Sequence, residues 1–142
     1  MIVDTSALLA ILYEEPEHNA VFAALNNALV RRMSVASYLE VHLRIIRADN
    51  ADSRHLFDQI FAKLNITLEP VTETQIKIAI DAFDCFGKGR GHPAQLNYGD
   101  CFTYALATEA TEPLLFIGND FSQTDLTWLD LETGLVTQKS TR

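Results

Sequence analysis

Four carboxylates punctuate the chain, each at the edge of an apolar segment. Asp4 closes "MIVD", Glu40 follows "MSVASYL", Asp100 opens "DCFTYALA", and Asp120 follows "LLFIGN". Each has a structural role open to it: Asp4 and Asp100 at helix starts, Glu40 three residues after Ser37 as in a capping box, Asp120 at a turn. Capping explains them one at a time, but not why all four stand beside such apolar sequence. Carboxylates gathered within a few ångströms repel one another, and their pKa values rise unless a cation compensates. A hard divalent cation such as Mg²⁺ prefers oxygen ligands and keeps several waters. Held by such acids, it polarises a phosphodiester and lowers the pKa of a water that attacks in line. That chemistry needs acids and no histidine nucleophile, which is the inventory here.

The hydrophobic pattern indicates how these acids could be brought together. "MIVDTSALLAILYEE" reads as a short buried strand, an acid at its end, and a helix from about Thr5. Val21, Phe22, Leu25, Ala28 and Leu29 fall at helical spacing and predict a second helix. A third starts at Ser34 or Ser37 and carries Tyr38, Glu40, Val41 and Ile45. Leu56 to Leu64 mark a fourth, and Ile66 and Leu68 alternate before a proline, as a short strand would. Ile76 to Phe86 give a further helix, which "GKGRGHP" interrupts before the helix of Asp100. "EPLLFIGNDF" is a second buried strand and "LTWLDLE" a last edge strand. This alternation predicts an α/β fold with a mostly parallel central sheet and helices on both faces. Ligands in such sheets bind beyond the carboxyl ends of the strands. Asp4 and Asp120 are expected at strand ends, and Glu40 and Asp100 in the first turns of helices. Residues 1–131 form one domain in this reading, and 132–142 a poorly ordered tail.

Composition narrows the classes. A chain of 142 residues, 48% hydrophobic and 21% charged, can bury a core without disulfides or a structural metal. The apolar run Ala7 to Tyr13 is far short of the roughly 20 residues that span a bilayer. No basic segment precedes it, so no export signal is read and a cytoplasmic location is expected. Cys85 and Cys101 match no paired metal spacing and read as small hydrophobes. A net charge of −8 argues against nucleic-acid binding by global attraction, though not against a local basic face.

Taken together, "MIVDTSALLAIL", "MSVASYLEV", "GKGRGHPAQLNYGDCFTYALA" and "EPLLFIGNDFSQTDL" resemble a PIN-domain ribonuclease, specifically a VapC-type toxin of a toxin–antitoxin pair. The resemblance spans about nine tenths of the chain. It implies a three-layer α/β/α domain that hydrolyses RNA with Mg²⁺ or Mn²⁺, leaving a 5′-phosphate and a 3′-hydroxyl. The family's acids fall on Asp4, Glu40, Asp100 and Asp120. Asp4 and Asp100 are expected as direct ligands, with Glu40 and Asp120 completing the cluster directly or through water. Relatives often carry aspartate where this chain has Asn119, which is left outside the metal set. Ser6 is a candidate partner of a carboxylate or of the scissile phosphate, or a helix cap. Arg44, Arg47, Lys88 and Arg90 are candidate RNA contacts. Arg44 is equally suited to a surface pair with Glu40, and Lys88 and Arg90 to a solvated loop. A VapB-like antitoxin is implied, its groove drawn from the helices around Val21 to Leu29 and Leu56 to Leu64. A homodimer and a toxin–antitoxin hetero-oligomer follow from the same resemblance, and no membrane partner does. The alternatives are a PIN nuclease of RNA maturation or turnover without an antitoxin, and a module that binds RNA or protein without cleaving.

Overall fold

A computed structural model describes residues 1–140. The chain runs β1 (Ile2–Val3), α1 (Thr5–Leu12), α2 (His18–Asn27), β2 (Arg32–Ser34), α3 (Val35–Arg47), α4 (Ala51–Leu64) and β3 (Thr67–Glu69). It continues with α5 (Glu73–Phe86), α6 (Tyr98–Ala110), β4 (Leu114–Leu115), a 3-10 turn (Phe121–Gln123), β5 (Thr127–Leu129) and β6 (Val136–Gln138). The six strands form one sheet in the order β3-β2-β1-β4-β5-β6. All pairings are parallel except β5 with β6.

Consecutive residues of the two central strands point to opposite faces, as the period of a strand requires. Val3 and Leu115 enter a core with Leu8, Val21, Val41 and Phe57 from α1 to α4. Ile2 and Leu114 enter a second core with Ala82, Tyr104 and Leu106 from α5 and α6. The molecule therefore has helices on both faces of its sheet, as the alternation predicted, in the three-layer α/β/α arrangement that the resemblance implied. Both central strands are buried on two faces, which is why "IV" and "LL" are apolar without alternation.

The order of strands matters for function. From β1 the chain moves outward to β2 and β3, then returns to place β4 on the other side of β1. The reversal opens a crevice beyond the carboxyl ends of β1 and β4, where doubly wound sheets bind ligands.

Two expectations change, and the start of the third helix, left between Ser34 and Ser37, is resolved. The second helix ends at Asn27, and Leu29 is 98% exposed beyond it. Ser34, not Ser37, caps α3, its Oγ accepting from Ala36 N at 3.2 Å. Glu40 thus lies in the second turn. Within 132–142, expected as a disordered tail, Val136–Gln138 pairs antiparallel with β5, so β5 is not the edge; Thr141 and Arg142 lie outside the described residues. No helix among the described residues is long and apolar enough to cross a membrane.

Candidate active site

Asp4 follows β1 directly and caps α1. Its backbone N donates to Leu115 O at 3.0 Å, fixing it at the crevice between β1 and β4. Asp4 is only 6% exposed, and protein donors hold both carboxylate oxygens. Oδ2 accepts from Ser6 N (3.0 Å) and Ser6 Oγ (2.7 Å), and Oδ1 accepts from Thr103 Oγ1 (2.7 Å). Ser6 Oγ in turn accepts from Ile117 N at 3.0 Å. Ser6 is thereby tied to Asp4 on one side and to the segment after β4 on the other.

Asp100 is the third residue of α6. Asn97 and Asp100 form a reciprocal capping box, with Asn97 N donating to Asp100 Oδ2 (3.0 Å) and Asp100 N donating to Asn97 Oδ1 (2.9 Å). Burial is the largest influence on its carboxyl and pushes it up. The bond from Asn97 pulls it down, and the charges of Asp4, Asp120 and Glu40 raise it again, leaving it at about 7. Capping and participation in an acidic cluster coincide in one side chain.

Glu40 reaches the same cleft from α3. Burial and then the charge of Asp4 raise its carboxyl, while Arg44, at 3.6 Å one turn on, lowers it. Asp120 stands before the 3-10 turn with no hydrogen bond from its side chain to that turn. Burial and Asp4 raise its carboxyl too. β4 stops at Leu115, so Asp120 arrives on a loop through Gly118 (φ +108°), a left-handed conformation that favours glycine.

A cleft of about 160 Å³ is lined by all four acids together with Ser6 and Arg44. Arg47 lines an adjoining hollow, which shares Glu40, Arg44 and Asn97 with the cleft. Lys88 and Arg90, on the loop after α5, do not line the cleft; Arg90 Nη2 pairs with Asp84 Oδ1 of α5 at 2.6 Å. His92 Nδ1 accepts from Ala94 N within the same loop. Sequence reasoning missed Ser37, Thr103, Asn97 and Gly99. Ser37 and Thr103 are hydroxyls one helical turn from Glu40 and Asp100, a spacing that gains meaning only once the helices are placed side by side.

The donor set suits a hard divalent cation. All four acids offer oxygen, and Arg44 is the one protein cation among the residues lining the cleft. Burial first, and then the neighbouring carboxylates, raise three of the acids, and a bound cation would favour their charged forms. Among the described residues no group of three or more His, Cys, Asp or Glu side chains is arranged to hold a metal ion between them. Mg²⁺ does not demand such a group, since one or two carboxylates with waters are its usual protein ligands.

Residues 1–126 match the family described as "PIN domain". Ribonuclease VapC28 of Mycobacterium tuberculosis is 50% identical over 125 residues, covering 87% of this chain and 93% of that protein. Ribonuclease VapC30 of the same organism is 42% identical over 126 residues, with 89% and 95% covered. Among solved structures, M. tuberculosis VapC20, described as a sarcin–ricin-loop-cleaving toxin, superposes with a TM-score of 0.68 at 17% identity. That match covers 85% of this chain and 92% of VapC20, and it supports the fold alone. The chain belongs to the PIN-domain family, among its VapC ribonucleases.

Proposed function

We propose that this chain is the toxin of a type II toxin–antitoxin pair. In this reading it is an endoribonuclease that hydrolyses RNA phosphodiester bonds with Mg²⁺ or Mn²⁺. The observation that carries the reading is one small cleft lined by Asp4, Glu40, Asp100 and Asp120 in a VapC-family chain. A bound divalent ion supplies charge neutralisation and an acidified water. Asp4 and Asp100, the two acids on the most buried elements of the cleft, would hold it. Glu40 and Asp120 complete the oxygen set, directly or through water, and either can take the proton of the attacking water. Ser6 keeps Asp4 oriented. Arg44, at the rim, meets the phosphate as RNA enters, and Arg47 continues the positive strip along α3 against the net negative charge.

Two protein partners belong to the same reading. A VapB-like antitoxin would lay an apolar segment in the hollow of about 520 Å³ lined by Ile11, Leu12, Tyr13, Phe22, Leu56 and Ile60. A second copy of the chain would cover the apolar face at Ile80, Phe83, Tyr98 and Phe102. Incubation of purified protein with RNA in Mg²⁺, Mn²⁺ or EDTA tests the activity. Cleavage should need the metal and fall to near background in Asp100→Asn; undiminished cleavage by that variant removes the metal-site reading.

A further inference from the structure

Below the cleft floor, two hydroxyls join the three elements that carry its principal acids. Thr103 Oγ1 lies 2.7 Å from Asp4 Oδ1 and 3.1 Å from Ser37 Oγ. Thr103 and Ser37 are each 1% exposed. An ionised carboxylate only accepts hydrogen bonds, so with Asp4 charged the direction of the chain is fixed. Thr103 donates its single proton to Asp4 and must accept from Ser37, which donates to it. The backbone of Ser37 is engaged as well, its carbonyl accepting from Thr5 Oγ1 at 3.2 Å. The joint therefore touches α1 at Thr5, the β1–α1 junction at Asp4, α3 at Ser37 and α6 at Thr103.

The spacing gives this joint its consequence. Ser37 is three residues before Glu40, and Thr103 three residues after Asp100, so each hydroxyl lies one turn from an acid on the same helix face. Sliding or rotating α3 against α6 would break the Ser37–Thr103 bond and move Glu40 relative to Asp100. Moving α6 from β1 would break the Thr103–Asp4 bond and separate the two acids assigned as ligands. We propose that Thr103 and Ser37 are positioning residues that set the mutual register of Asp4, Glu40 and Asp100, and with it the cleft's affinity for a divalent ion. The inference rests on the metal reading above. Partners that orient metal ligands typically change affinity or activity by about 10- to 100-fold when removed.

Mn²⁺ binding to the full-length protein, followed by electron paramagnetic resonance without RNA, reads this directly. Thr103→Val keeps the shape and removes the donor, and should weaken Mn²⁺ binding by about 10- to 100-fold. Thr103→Ser restores the hydroxyl and should bind within about threefold of wild type, as expected where the donor rather than the methyl sets affinity. In cleavage assays the Val variant should require more metal for half-maximal rate and recover most of the rate at saturation. Wild-type affinity in Thr103→Val overturns the proposal. Equal weakening in Val and Ser overturns it too, since the missing feature would then be packing. If Thr103→Val does not fold, Ser37→Ala decides: it leaves the Thr103–Asp4 bond in place and should still weaken Mn²⁺ measurably, while unchanged binding rejects the joint. Failure of the metal reading itself is distinguishable, because wild type would then bind no Mn²⁺ and cleave equally in EDTA.

Discussion

Glu40 occupies the space that a side chain at Gly99 would fill. A β-carbon on Gly99 would stand 2.9 Å from Glu40 Cδ and overlap Oε2, so α3 delivers its acid against bare backbone one residue before Asp100. Gly99→Ala should therefore displace the carboxylate without harming the fold, because a long side chain can swing away. Alanine also favours a helix over glycine by roughly 0.5–1 kcal/mol. The expected outcome is an unchanged or higher melting temperature with cleavage reduced on the order of 10- to 100-fold. Calorimetry and an RNA cleavage assay on the same preparation check it; wild-type cleavage would show that Glu40 tolerates the displacement.

Asp100 couples the site to stability. Burial, then its acidic neighbours, hold its carboxyl at about 7 in the metal-free protein, against 3.8 ordinarily. Below about pH 4 the group is protonated in both folded and unfolded chains and contributes no difference. Between there and about pH 7 the unfolded chain has released a proton that the folded chain retains, so this group lowers stability as pH rises. In EDTA, Asp100→Asn should melt a few degrees above wild type at pH 8, the gap closing toward pH 4. Saturating Mg²⁺ should shrink the gap at pH 8 by stabilising wild type. Thermal melts at the two pH values decide it, and a gap independent of pH would contradict the assignment.

The same residues show how far the sequence could be read. Asp4, Asp100 and Asp120 were legible because each interrupts an apolar run at the edge of an element, and Glu40 because it follows an apolar stretch, although it lies in the second turn of α3. Ser37 was not, because the spacing Ser-x-x-Glu fits a capping box wherever the helix starts. β2 ends at Ser34 and the helix begins there, which turns Ser37 into the core and carries Glu40 into the second turn. β6 escaped notice for a different reason. Val136 is 58% exposed, and its strand is defined by pairing with β5 rather than by burial of its own side chains. Thr103 sits among Tyr104, Ala105 and Leu106 and reads as a filler until the tertiary contact with Asp4 is known.

Arg44 and Arg90 should behave differently in RNA binding. Arg44 lines the acidic cleft and leans on Glu40 at 3.6 Å, with most of its side chain in solvent. Such exposed pairs are weak, about 0.2–1 kcal/mol, so a phosphate can recruit the guanidinium readily. Arg90 is engaged with Asp84 away from the cleft. Arg44→Ala should raise KM for RNA roughly tenfold and flatten its salt dependence by about one counterion. Arg90→Ala should leave both near wild type. Cleavage rates across a salt series separate the two, and equal effects would place the RNA path across the α5–α6 loop.

The apolar face beside the cleft predicts an assembly. Ile80 is 63% and Tyr98 80% exposed, and with Phe83 and Phe102 they line a hollow of about 450 Å³ with little polar surface. Contiguous apolar surface of this kind marks interaction sites on soluble proteins. A second copy is the occupant expected here, since a twofold contact lets the patch cover itself. Light scattering of wild type should give about twice the chain mass of 15.9 kDa. Ile80→Glu would bury two carboxylates at such an interface, so it should shift the protein toward monomer. Ile80 lies outside the core, so the monomer should remain folded by circular dichroism. A wild type that scatters as a monomer at tens of micromolar removes the assembly, and it leaves the cleft and its four acids complete within one chain.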